Sequence, residues 1–138
     1  MTNKKKKIFL VKDLMIKIDK FPVVKEMTLL KDTLEEMSNF KIGIACIVKN
    51  NKFIGVFTDG DLRRKILKEQ KPFSAFFNDD IKIHLISKPF FIKGNIKIDK
   101  ALQIMEKKKI WDLPVVDNKM NLIGLLHLHP ALKTILSK

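Results

Sequence analysis

The sequence predicts an α/β (α+β) fold made of two tandem units, each a small β-sheet with two flanking helices, docked with pseudo-two-fold symmetry. Three observations point to it. The chain has 138 residues, is 46% hydrophobic and carries only five glycines and five prolines. That is a globular composition, long enough for one ordinary core or for two very small units sharing one. The chain also repeats itself. KIGIACIVKNNKFIGVFTDGDL lies over KIWDLPVVDNKMNLIGLLHLHPAL, with Ile42 on Ile110, Val48 on Val116, Gly55 on Gly124 and Leu62 near Ala131 or Leu132. Upstream, Leu34 falls on Leu102 and Met37 on Met105. Finally, each copy runs through the same order of periods: helical, β-branched, β-branched, helical.

The elements follow in order. In the first copy Leu30, Leu34 and Met37 stand at i, i+4 and i+7 on one helix face, with Thr28 as the N-cap candidate. In the second copy Ala101, Leu102 and Met105 form the stripe, and Asp99 is the cap candidate. Strands are expected over 44–48 and 113–116. Polar turns follow at 49–52 and 117–119, then second strands over 53–57 and 122–126. The repeat offset grows by one between Val48 and Gly55, which places a one-residue difference in the turn. A second helix is expected after Asp61 and after Pro130, a residue suited to a first helical turn because its missing N–H is not needed there. Four segments result: a basic tail over 1–9, the first unit over 10–69, a linker over 70–80 with Pro72, Ser74 and Asn78, and the second unit over 81–138.

Composition excludes several functions. No apolar run approaches the ~20 residues of a spanning helix. The stretch 8–11 is shorter than a signal-peptide core of ~7–15 residues. One cysteine, Cys46, makes no internal disulfide, so a cytoplasmic location is expected. The charge of +13 comes from 28 basic against 15 acidic residues, yet only Arg63 and Arg64 are arginine. Base readout and stacking favour arginine and exposed aromatics, so the excess reads as solvated lysine surface and not as a nucleic-acid face. Lys4 to Lys7 read as a solvated tail. His127 and His129, two apart on a strand, share a face, but zinc needs about four ligands and no further cluster is visible, so no metal is assigned. No phosphate loop or nucleophile elbow occurs. Cys46 in an apolar strand reads as an inert thiol, and His84 within IKIHLI as a packed residue.

Gly55-Val56-Phe57-Thr58-Asp59-Gly60-Asp61-Leu62, with Leu113-Pro114-Val115-Val116-Asp117 and Gly124-Leu125-Leu126 in the second copy, resembles the pattern of CBS domains, two of which make a Bateman module. The likeness covers about 10–136. GVFTDGDLRR followed by LPVVD and LHLH is similar to the C-terminal CBS pair of bacterial D-arabinose 5-phosphate isomerases, which serve lipopolysaccharide synthesis. The resemblance implies a regulatory, ligand-sensing pair that binds an adenine nucleotide (AMP- or ATP-like) or a CMP-sugar in the cleft between copies, with no cofactor required. Catalysis would belong to a sugar-isomerase domain, attached or associated, outside this sequence. The chain itself would be non-catalytic. A homodimer through the helices is implied as well. The alternative is a ligand-free scaffold that holds isomerase subunits together.

The same resemblance nominates the site residues. Asp61, near a helix N-terminus, can accept both hydroxyls of a ribose; a plain capping role would explain it equally. Thr58 offers a hydroxyl to phosphate or sugar, or merely caps. Gly60 permits close backbone approach. Arg63 and Arg64 offer a planar fork for phosphate, but adjacent helical residues point about 100° apart, so only one can face the cleft. Ile42 and Ile44 would clamp a flat base. Trp111 and Asp112 stand at a strand start that lines the cleft, although Trp111 can equally be a large half-buried residue. The second copy departs from the pattern: His127 takes the hydroxyl position and Pro130 the carboxylate position, so at most one ordinary nucleoside site is expected. His127 would face phosphate or simply fill space.

Overall fold

The structure, a computed structural model, describes residues 8–85 and 88–136. The tail lysines 4–7 lie outside the described residues. In chain order the elements are α1 (Val11–Leu14), β1 (Ile16–Lys17), β2 (Val23–Lys25), α2 (Leu30–Phe40), β3 (Ile44–Lys49), β4 (Lys52–Thr58), α3 (Asp59–Glu69) and α4 (Phe73–Phe77). A 3-10 turn at Ile81–His84 leads to β5 (Ile92–Lys93), α5 (Ile98–Lys108), β6 (Asp112–Val116), β7 (Leu122–His127) and α6 (Leu128–Leu136). The mixed small-sheet architecture expected from the repeat is present, as one three-stranded and one four-stranded sheet, each flanked by helices.

Each half is built on a hairpin. β3 pairs antiparallel with β4, and β6 with β7; β2 and β5 add parallel edges to β3 and β6. A register shift falls between Ile47 and Val48 in one hairpin and between Val115 and Val116 in the other. The one-residue offset sits in the turns, as expected. Asn50 and Asn51 both take positive φ, which suits a tight two-residue hairpin connection and a residue type that tolerates αL. The second turn is longer, because Val116 faces Leu122 where Val48 faces Phe53. Asp117 organises it by accepting the backbone N–H groups of Lys119 and Asn121 at 2.8 and 2.9 Å.

The sequence copies and the packed bodies are not the same residues. The segment ahead of each copy crosses to the other half. β1 pairs with β7, and Val11 lies in the core of the second half with Leu113, Val115 and Leu126. Reciprocally, Ile81 and Phe76 lie in the core of the first half with Leu30, Ile47 and Phe57. The backbone hydrogen bonds repeat across the pseudo-dyad: Ile81 N–H to Thr28 O at 2.7 Å against Val11 N–H to Ile96 O at 2.8 Å.

This crossing corrects two expected caps. Neither Thr28 nor Asp99 caps its helix; the N-cap positions are Leu29 and Lys97, without a side-chain bond. The reason is that backbone of the crossing segments supplies the acceptors. Leu30 N–H donates to Asp79 O at 2.8 Å, and Ile98 N–H to Phe9 O at 2.9 Å, so one of the orphan donors at each helix start is satisfied by backbone. The second helices also begin earlier than expected, at Asp59 and Leu128 instead of after Asp61 and Pro130. Pro130 still falls in a first turn, where it is tolerated. The expected linker contains α4, whose Phe76 is fully buried.

The crossing also explains Gly55 and Gly124. A Cβ on Gly55 would lie 3.2 Å from the Leu85 side chain; one on Gly124 would meet Met15 and come within 2.9 Å of the Ile16 backbone oxygen. Gly124→Ala therefore collides with a β1 backbone that cannot swing aside. A loss of about 1–3 kcal/mol is expected from overpacking, read by urea unfolding. An unchanged midpoint would show that β1 does not lie on Gly124.

The halves meet through their sheets. Phe21, Ile44, Cys46 and Phe53 of one pack on Val116, Leu122 and Leu125 of the other. The hairpin ends are stitched together by Phe53 N–H to Met120 O at 2.9 Å and Leu122 N–H to Asn51 O at 3.2 Å.

Candidate functional site

Where the two sheets part, they leave a cavity of about 110 Å³ lined by Ile44, Val56, Thr58, Phe90, Ile110, Asp112 and Pro114. Both halves contribute. Its walls are apolar side chains except for Thr58, from β4 of the first half, and Asp112, from β6 of the second.

Thr58 ends β4 and is the N-cap of α3. Its Oγ1 accepts the Asp61 backbone N–H at 3.1 Å, and Asp61 Oδ2 accepts the Thr58 backbone N–H at 2.9 Å. This reciprocal box satisfies two donors at the helix start. Asp61 thus sits at the third helical position, and Thr58 is the cap. The remaining oxygen, Asp61 Oδ1, accepts from Arg64 Nη2 at 2.7 Å. The Asp61 side chain is 11% exposed and that of Arg64 is 64% exposed. The carboxylate is therefore held inward, and its one free face is covered by a guanidinium that solvent can draw away. Gly60 lies under Arg64: a Cβ there would come within 3.2 Å of Nη1. Arg63 is exposed.

Asp112 opens β6 directly opposite His127, the last residue of β7. Asp112 Oδ1 and His127 Nδ1 are 2.5 Å apart. Burial pushes the Asp112 carboxyl above its ordinary range, opposed by the hydrogen bond and charge of His127. In the first half the same two register positions hold Ile44 and Thr58, so the site is furnished asymmetrically. His129 does not share a strand with His127; it is exposed on α6. Among the described residues no group of His, Cys, Asp or Glu could hold a metal. Cys46 is fully buried and burial pushes its thiol far up, with Asp112 adding to the effect, as expected of an inert thiol.

Of the sequence-predicted residues the cavity gathers Ile44, Thr58 and Asp112, with Asp61 and Arg64 hydrogen-bonded in sequence behind Thr58. His127 adjoins it through Asp112. Ile42 and Trp111 stand elsewhere. Ile42 lines an outer hollow with Leu34, Met37, Lys41 and Asp59. Trp111 lines the repeat-equivalent hollow with Leu102, Met105, Lys109 and Leu128, and is 71% exposed instead of half-buried. Sequence reasoning missed Val56, Phe90, Ile110 and Pro114 as cavity walls. The signal for Phe90 was weak: it precedes β5 by two residues, where the first copy has Pro22 ahead of β2.

No helix among the described residues is long and apolar enough to cross a membrane. The family model described as "CBS domain" matches residues 11–68 and 80–129. The chain is similar to the arabinose 5-phosphate isomerase KdsD of Francisella tularensis, 33% identical over 131 residues, covering 94% of this chain and 38% of that protein. It is also similar to KdsD of Escherichia coli K12, 30% identical over 137 residues, again covering 94% of this chain and 38% of the relative. The chain therefore spans well under half the length of these curated relatives. Among solved structures, CBSX2 of Arabidopsis thaliana in complex with AMP superposes with a TM-score of 0.81 at 25% identity, covering 94% of this chain and 97% of that one. With two family matches laid on two halves that share one hairpin plan and one pattern of crossing segments, the chain belongs to the CBS domain family, as a tandem pair.

Proposed function

We propose that this CBS pair is the ligand-sensing, regulatory part of an arabinose 5-phosphate isomerase-like protein, and that it takes an adenine nucleotide or nucleotide-sugar in the cleft between its halves. The observation that carries the reading is the cleft itself: an apolar slot between the sheets with Thr58 at its edge and Asp61 and Arg64 hydrogen-bonded behind it. A flat base enters the slot. The ribose diol takes Asp61 Oδ1 in place of Arg64, and the released guanidinium turns to the phosphate, where the free N–H groups of α3 also favour an anion. Sugar-isomerase chemistry belongs to a domain outside this sequence, present in the longer relatives, and the ligand biases that domain through the relative placement of the halves. The likeness to KdsD and the AMP complex of CBSX2 support this.

Calorimetry with AMP, ATP and CMP-sugars tests it. At least one is expected to bind. Asp61→Asn keeps an oxygen for the Thr58 cap but loses the charge that holds a diol, so affinity should fall about tenfold or more, roughly 1.4 kcal/mol. No heat from any of them refutes the sensing role.

The second reading, a scaffold that holds subunits together, is favoured by apolar side chains left open on the helices: Leu67 at 71%, Leu136 at 80% and, beside α5, Trp111 at 71% exposed. A homodimer that binds no ligand, seen by sedimentation and calorimetry together, is what that reading requires.

A further inference from the structure

We infer that two copies of this chain close head to tail, the Trp111 side chain of each entering the hollow over the partner's Gly43. The inference rests on the self-association that the family resemblance implies, and adds its register. The chain carries two outer hollows at repeat-equivalent places, one in each half. Leu34 and Leu102, Met37 and Met105, and Ile42 and Ile110 line them alike. The same backbone bond borders both: Asp59 N–H to Gly43 O at 3.0 Å in the first half, and Leu128 N–H to Trp111 O at 2.9 Å in the second.

The contrast lies at that bond. The first hollow has Gly43 and Asp59 where the second has Trp111 and Leu128. Gly43 leaves its backbone bare, and the Asp59 carboxylate leans over it: a Cβ on Gly43 would stand 2.7 Å from Oδ2. Trp111 is 71% exposed, and its indole N–H has no hydrogen-bond partner among the described residues. One half thus offers a knob, and the other, at the same place in the repeat, a hole.

Knob and hole match in size and chemistry. The first hollow measures about 440 Å³, within the roughly 300–1,000 Å³ that takes a drug-sized molecule, so it has room for one indole. A buried indole N–H needs an acceptor, and the exposed Asp59 carboxylate at the hollow supplies one. Lys109 lines the second hollow with Trp111, so the same docking brings an ammonium toward that carboxylate. Head-to-head association would set each Trp111 against the partner's Trp111 and leave both holes empty. Head-to-tail association fills both at once, because a two-fold axis repeats each contact with the roles exchanged.

Sedimentation and tryptophan fluorescence of the intact chain test it, since Trp111 is the single tryptophan. The chain should sediment as a dimer with blue-shifted emission that moves to the red on dilution. Trp111→Ala removes the knob and Gly43→Leu fills the hole; each should weaken the dimer about thirtyfold or more, the effect of losing an interface anchor. Mixing the two variants should restore a dimer about tenfold tighter than either forms alone, because the knob of one still fits the hole of the other. Only the Gly43→Leu chain fluoresces in that mixture, so its emission should shift to the blue as the Trp111→Ala chain is added. Should Gly43→Leu fail to fold, the dilution series on the unmutated chain and the Trp111→Ala dimer constant decide. A dimer whose tryptophan emits as if in water, or variants that do not rescue each other, overturn the register and leave the dimer standing. A monomer at all concentrations overturns both.

Discussion

Phe76→Ala is expected to cost about 3–5 kcal/mol of folding stability, the range for emptying a fully buried phenylalanine site. Such a loss is a large part of the 5–15 kcal/mol that ordinarily holds a domain. The side chain is 0% exposed and lies in one cluster with Leu30, Ile47, Phe57 and Ile81. Lys71 Nζ sits 4.7 Å from its ring centroid, and the His84 ring 6.4 Å away. Phe73 on the same helix is 57% exposed. Its alanine variant should stay within about 0.5 kcal/mol of the parent, so the pair separates loss of a docked core residue from loss of helix propensity. Urea unfolding of both variants is the measurement. Equal small effects would mean that α4 is a linker in the energetic sense too.

Acidification should destabilise the fold through His84. Its side chain is 1% exposed, wedged against Phe57 and Phe76 with ring centroids at 6.1 and 6.4 Å. Nε2 donates to Asp79 Oδ2 at 3.1 Å, which leaves Nδ1 as a buried lone pair without a partner. Burial lowers the pKa below its ordinary 6.5, nearby Lys65 lowers it further, and Asp79 and Glu69 only partly oppose. Lys71, 3.8 Å from Asp79, draws on the same carboxylate. Because the folded pKa lies below the unfolded one, the unfolded state binds more protons in the interval between them. Stability is therefore full above 6.5 and is lost as pH falls through that interval. The steepest possible slope for one group is about 1.4 kcal/mol per pH unit. His84→Leu is the fitting control, because the crossing register places Leu14 at the equivalent position of the other half. Unfolding free energies at pH 7.5 and 5.5 should differ more in the parent than in this variant. The same difference in both would assign the acid sensitivity to other groups.

These two residues also mark how far the sequence could be read. The hairpins were legible because their signals are local. β-branched runs, a one-residue offset and paired asparagines specify strands and turn, and the structure has them with the bulge repeated. The helical stripes were legible for the same reason. What was not legible is which body each connecting segment joins. Phe76 looks like linker because Pro72, Ser74 and Asn78 surround it, and composition does not say that a neighbouring core has a vacancy of its shape. The missed caps have the same origin: Thr28 and Asp99 are good local choices, displaced because backbone from a distant segment reaches the helix start first. In the cleft, Thr58 and Asp61 stood out in the motif, whereas Phe90 and Pro114 acquire meaning only when the sheets face each other.

By itself the sequence determined the two copies, the order of elements in each, the family pattern around Thr58 and Asp61, and the inequality of the copies at His127 and Pro130. All of these are set by neighbours along the chain, through side-chain period, turn chemistry and spacing. Tertiary structure alone decided that each half is completed by the segment ahead of the other, that Gly55 and Gly124 must stay bare beneath those segments, and that Asp112 shares one slot with Thr58 while Trp111 points away. Those outcomes depend on which surfaces bury one another, and burial is a property of the whole packed body, to which each residue contributes only a preference.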